Sequence, residues 1–146
     1  MMKVKDFISK EGQQKIVQAI KEAELDTSGE IRVHIESKCP ADPVQRAVYI
    51  FNYLKMYNTQ ARNGVLVYVA VESRKFAIIG DAGINRVVPD DFWDGIKERM
   101  GAAFSAGDYT GGLYTAIREA GESLKKYFPY QTDDINEQPD EISFGE

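Results

Sequence analysis

The chain has 146 residues, with 18 Lys and Arg, 23 Asp and Glu, one His, one Cys and a formal net charge of −5. Residues 131–146 hold six carboxylates and no cation, which leaves 18 basic and 17 acidic groups, a balance of +1, in residues 1–130. A near-neutral body with an acidic tail lacks the clustered cationic face that nucleic acid or an anionic membrane requires, and one Cys with one His excludes both an intramolecular disulfide and a four-ligand structural zinc site.

The opening MMKVKDFISKEGQQK has no apolar segment ahead of its charges, and no stretch approaches the ~18 uninterrupted apolar residues of a membrane span. The chain reads as a cytoplasmic monomer, with a folded domain over residues 1–130 and an acidic tail over 131–146.

Ile16, Val17, Ile20 and Ala23 recur at helical spacing between polar residues, which predicts a surface helix over 10–24 with Ser9 as its N-cap. After Thr27-Ser28-Gly29, the segment Glu30–Glu36 alternates with period two, the pattern of a half-buried strand. Asp42-Pro43 supplies an N-cap and a proline at the first helical position, and Val44, Ala47, Val48, Phe51 and Leu54 stripe a second helix. Gly64–Val71 is a continuous apolar run that suits a central strand covered on both faces. Glu72–Lys75 is short and polar and Phe76–Ile79 follows at once, which predicts a hairpin. Beyond the turn Gly80-Asp81-Ala82-Gly83, two helices are spaced by Phe92, Ile96, Met100 and Phe104 and by Leu113, Ala116, Ala120 and Leu124. The tail after Pro129 reads as solvated, with Ile135, Ile142 and Phe144 as its apolar anchors.

This order predicts an α/β fold, a three-layer α/β/α sandwich on a small mixed sheet with helices on both faces. The first two strands, joined through a helix, are expected parallel, and the third antiparallel. Three chain positions then share one rim of the sheet: Ser28–Glu30, Arg62–Gly64 and Gly80-Asp81.

Several chemistries fail on spacing. Cys39 and Arg46 have six residues between them where a cysteine-phosphatase loop has five, and Pro40 and Pro43 remove backbone donors from the cradle. Cys39 is better read as a buried or rim thiol. His34 lies mid-strand on the polar face with no local nucleophile to serve, so a solvent-side or cross-strand-paired histidine is expected. No P-loop and no full GxGxxG occurs. Asp133–Glu137 lacks the alternating carboxylates of a calcium loop.

What remains is the oxygen-rich rim: Glu30, Asn63 and Asp81, with Arg62 beside them and Asp90-Asp91 at the next helix start. Asp108 joins them if the Ala106–Tyr109 turn folds over the same end. Hard cations take carboxylates, amide carbonyls and backbone oxygens, which are the groups present here. The competing structural reading makes Asp90 and Asp108 ordinary helix caps and pairs Glu30 with Arg62.

Four segments in order, Thr27–Val33, Arg62–Phe76, Ile79–Asn85 and Phe104–Leu113 with its Gly107-Asp108-Tyr109, resemble the TPM domain of thylakoid-lumen, photosystem II repair and acetylcholine-receptor-modulator proteins. The resemblance spans about residues 10–128 and implies an α/β/α sandwich. It also implies divalent-cation binding, calcium first and magnesium second, and a low-level acid phosphatase activity. By similarity the metal ligands are Glu30, Asn63, Asp81, Asn85, Asp90 and Asp108. A third reading is an adaptor whose acidic tail, through Asp140–Phe144, docks on a protein partner or back on the body.

Overall fold

Ser9 and Asp42 start the first two helices as their sequence positions require. Ser9 Oγ accepts the Gly12 N–H at 3.0 Å, and Asp42 Oδ2 accepts those of Val44 and Gln45 ahead of a proline in the first turn. A computed structural model describes residues 4, 7–129, 140 and 142–145. Along the chain it places α1 (Lys10–Glu24), β1 (Glu30–Glu36), α2 (Pro43–Tyr53), β2 (Gly64–Ala70) and β3 (Lys75–Gly80), then α3 (Ala82–Asn85), α4 (Phe92–Ser105), α5 (Tyr109–Tyr127) and β4 (Ser143–Phe144).

The sheet order is β3-β2-β1-β4. β1 and β2 run parallel from Glu30 opposite Gly64 to Glu36 opposite Ala70, and β3 returns antiparallel with Gly80 opposite Val65. The fold is α/β, consistent with the three-layer sandwich expected. Ile31, Val33 and Ile35 of β1, with Val65, Val67 and Val69 of β2, meet side chains of α1, α4 and α5 in one core. Leu66, Tyr68 and Ala70 meet α2 in a second, smaller core on the other face. Burying both faces explains why β2 is apolar without alternation, each such side chain contributing roughly 1.5–3 kcal/mol.

Four local features differ from expectation. The polar side of β1 does not face solvent: Glu30, His34 and Glu36 are all buried. Period two marks which side chains share a face, but burial of that face depends on distant segments. One of these is β4, where Ser143 and Phe144 pair parallel with His34 and Ile35, and Ile142 and Phe144 pack against the main core. A two-residue strand is too short to leave a periodic signal, so residues 142–145 read as solvated when they are docked. Gly80–Gly83 leads into α3 instead of forming a plain turn, because the Asp81 side chain accepts the Ala82 N–H at 2.7 Å. Asp91, not Asp90, occupies the N-cap of α4, and it makes no side-chain capping bond. Of the tail, residues 131–139, 141 and 146 lie outside the described residues, and with them Ile135 and the acidic segment Asp133–Glu137.

Candidate functional site

The parallel register of β1 and β2 and the return of β3 bring Glu30, Asn63 and Asp81 to one rim, at the amino ends of the two parallel strands. Local bonds fix this rim. Glu30 N–H reaches the Asn63 carbonyl at 3.4 Å, Asp81 N–H the Gly64 carbonyl at 2.9 Å, and Gly83 N–H the Arg62 carbonyl at 2.8 Å. The last contact is so close that a Cβ on Gly83 would collide with the carbonyl oxygens of Ala61 and Arg62, so only glycine fits. Thr27, buried beneath the rim, ties it to the end of α5, its hydroxyl bonding the Leu124 and Phe128 carbonyls.

The three side chains have different surroundings. Asp81 is 7% exposed and held by Arg62, Nε to Oδ2 at 2.6 Å and Nη2 to Oδ1 at 2.8 Å. Arg62 thus pairs with Asp81 and not with Glu30, and that bond holds its guanidinium above the ordinary arginine range. Asn63 donates from Nδ2 to Ser28 Oγ at 3.3 Å, while its Oδ1 is buried with no hydrogen-bond partner among the described residues. An unsatisfied buried acceptor costs about 1–3 kcal/mol. Glu30 is 2% exposed and lies within electrostatic reach of Glu24, a residue the sequence does not single out. Glu24 Oε2 accepts the Ile31 N–H at 2.9 Å. Burial, a bond shared with Asp140 and the charge of Glu30 nevertheless push its carboxyl up to about 11, so it is protonated at neutral pH.

Asn85 reaches the edge of the same rim, but both ends of its amide are engaged: Nδ2 donates to the Gly80 carbonyl, and Oδ1 accepts from Trp93 Nε1, each at 2.9 Å. Asp90 is exposed in the turn ahead of α4. Asp108 is not brought to this rim. Its neighbours Gly107 and Tyr109 line a pocket with Val69, Ala70 and Val71 at the far end of β2, and its Oδ1 caps α5 through the Gly111 N–H at 2.8 Å. The antiparallel return of α5 along α4 fixes this, since a turn after one helix length lies at the opposite end of the sheet.

The donor types at the rim, carboxylate and amide oxygens with no thiol or imidazole, suit a hard cation. Yet among the described residues no three His, Cys, Asp or Glu side chains are grouped closely enough to hold a metal ion. As long as Arg62 holds Asp81, the guanidinium occupies the place of a cation.

A second polar cluster, at the carboxyl ends of β1 and β2, is not evident from sequence. Glu36 accepts Arg46 at 2.8 and 2.9 Å and the Tyr68 hydroxyl, with His34 Nε2 at 3.5 Å. Burial opposes the Glu36 charge, but the Arg46 and Tyr68 bonds outweigh it and hold the carboxyl below its usual range. His34 lies opposite Tyr68 and bonds Ser143 Oγ through Nδ1 at 2.9 Å. Burial pulls its pKa down despite Glu36. Cys39 is half-buried, with Sγ 2.9 Å from the Ala41 carbonyl. The only pattern that hints at this cluster is polar residues on alternate positions of a strand that leads into the Cys39 loop.

Fold and rim together define a small α/β sandwich domain with an oxygen-rich edge at the amino ends of its parallel strands. A model of the TPM domain matches residues 2–123, and the chain belongs to that family. The NMR structure of the BA42 protein from the psychrophilic bacterium Bizionia argentinensis superposes with a TM-score of 0.90 at 49% identity, covering 99% of this chain and all of that one. The N-terminal domain of the cg2496 protein from Corynebacterium glutamicum (TM-score 0.64, 20% identity, 80% of this chain and 74% of that one) shares the fold. So does the N-terminal domain of a P. gingivalis protein (TM-score 0.68, 18% identity, 84% of this chain and 80% of that one). No curated protein matches the chain. Among the described residues no helix is long and apolar enough to cross a membrane.

Proposed function

We propose that this TPM domain binds a hard divalent cation, calcium in preference to magnesium, at the amino-end rim, in competition with Arg62. The observation that carries the reading is the buried Asn63 Oδ1 left without a hydrogen-bond partner between two carboxylate-bearing strand ends. Amide oxygens of this kind are regular calcium ligands, alongside carboxylates and backbone carbonyls. Asn63, Glu30 and Asp81 supply the donors once Arg62 releases Asp81. Because Arg62 is half exposed, its guanidinium leaves into water with little rearrangement. Calcium's tolerance of irregular geometry favours it over magnesium here.

The cation supplies charge neutralisation. It joins the starts of β1 and β2 to the start of α3, and so stabilises the folded state by mass action. Calorimetric titration with CaCl2 and MgCl2 tests the reading. Asp81→Asn, which keeps the α3 cap but removes the charge, abolishes the calcium heat, and Asp108→Asn at the opposite rim leaves it unchanged. Equal loss in both variants, or none in either, contradicts the proposal.

A further inference from the structure

A pocket of about 430 Å³ opens at the carboxyl end of β2, on the rim opposite the cation site. Open α/β sheets place ligands at the carboxyl ends of their parallel strands, and the volume lies within the usual range for small-molecule sites. Its walls come from Val69, Phe76, Phe104 and Tyr109, and the β2–β3 hairpin borders it with Arg74 and with Lys75, the latter at a strand position on the Ala70 and Ala77 face.

The wall is a fixed aromatic surface. Phe76 meets Phe104 edge-on with centroids 5.2 Å apart, and Phe104 stacks on Tyr109 at 5.2 Å. Phe7 closes on the far edge of Tyr109 at 4.4 Å. At Gly101 a Cβ would stand 2.9 Å from Phe76 Cζ, so glycine lets the α4 backbone seat that ring. The charge along this border has one sign. Arg74 and Lys75 are exposed, no carboxylate belongs to the lining, and neither cation forms an ion pair among the described residues. Arg74 also holds a left-handed backbone, φ 53°, which costs a non-glycine residue roughly 1–2 kcal/mol.

We propose that this pocket binds a small free carboxylate with an aromatic or branched alkyl body. The rings take the body by stacking and edge contacts, and Arg74 takes the single negative charge, with the charge of the neighbouring Lys75 adding to the field at that end of the hairpin. A phosphate dianion is disfavoured, because the apolar wall strips its water and offers no cluster of donors in exchange.

The test is a titration of the full chain with naphthoate, followed by amide NMR shifts. The expected result is saturable shifts confined to residues 69–76 and 101–109, with a Kd on the order of 1 mM or tighter. Arg74→Gly, which accepts the left-handed backbone, combined with Lys75→Gln, weakens naphthoate about tenfold. The neutral naphthyl alcohol binds the wild type as weakly as naphthoate binds that variant. Shifts clustered elsewhere, equal affinity for acid and alcohol, or inorganic phosphate binding as tightly as naphthoate overturns the proposal.

Discussion

Arg62 holds Asp81 in a two-pronged ion pair while its own backbone sits at φ 52°, in the left-handed region. The segment that bends to present this guanidinium also carries Asn63 to the rim and receives the Gly83 N–H on the Arg62 carbonyl. The ion pair and the backbone strain oppose each other, so they can be separated. Arg62→Ala loses the ion pair and keeps the strained φ, whereas Arg62→Gly loses the pair and relieves the strain. The glycine variant therefore melts a few degrees higher than the alanine variant. Both bind calcium roughly threefold to tenfold more tightly than the wild type, since the competitor for Asp81 is gone. Calorimetric scanning and titration of the two variants check both statements.

Glu24 gives a pH prediction. Its folded-state pKa is raised to about 11 from an unfolded value of 4.5, so its stabilising contribution is complete below pH 4.5 and is lost as pH rises toward 11. Glu24→Gln mimics the protonated carboxyl and removes the penalty. At pH 7–8 the variant is more stable than the wild type by about 3–5 kcal/mol, and the difference shrinks toward zero near pH 4.5. Urea unfolding at several pH values measures it.

His34 acts with the opposite sign. Its folded-state pKa lies below 6.5, so the unfolded chain binds the proton more strongly and stability falls as pH drops below about 6.5. His34→Gln retains a partner for Ser143 and cannot titrate. Between pH 7.5 and 5.5 the wild type loses more stability than the variant. Amide exchange at Gly145, whose N–H bonds the Ile35 carbonyl at 2.8 Å, rises with the loss.

Phe144 anchors β4 on the core while remaining half-exposed. Phe144→Ala costs about 1–2 kcal/mol, less than the 3–5 of a fully buried phenylalanine. It also frees the strand that covers His34, whose pKa returns toward 6.5. Imidazole proton shifts followed against pH in this variant report the change.

The directions of the first three strands, the parallel crossover through α2, the hairpin and the caps at Ser9 and Asp42 were legible because each rests on local periodicity or on a residue with one conformational use, whereas β4 was not. Convergence of Glu30, Asn63 and Asp81 on one rim followed from the strand directions alone. The partners were not legible. Arg62 pairs with Asp81 instead of Glu30, from a left-handed backbone that a non-glycine residue does not announce. Asp108 depends on how far α4 runs before it turns, and this places it at the opposite end of the sheet. Glu24, His34 and Glu36 look like ordinary surface residues until residues 140–145 and the neighbouring strands cover them, Glu24 partly and the other two fully.

The most direct test of the rim as a cation site is the change in amide NMR shifts of the full chain as CaCl2 is added. The expected result is a saturable set of changes centred on Ser28–Glu30, Arg62–Gly64 and Gly80–Ala82, absent in Asp81→Asn and reached at lower calcium in Arg62→Gly. Changes spread evenly over exposed acids such as Asp42, Asp90 and Asp108, identical in wild type and Asp81→Asn, would contradict it.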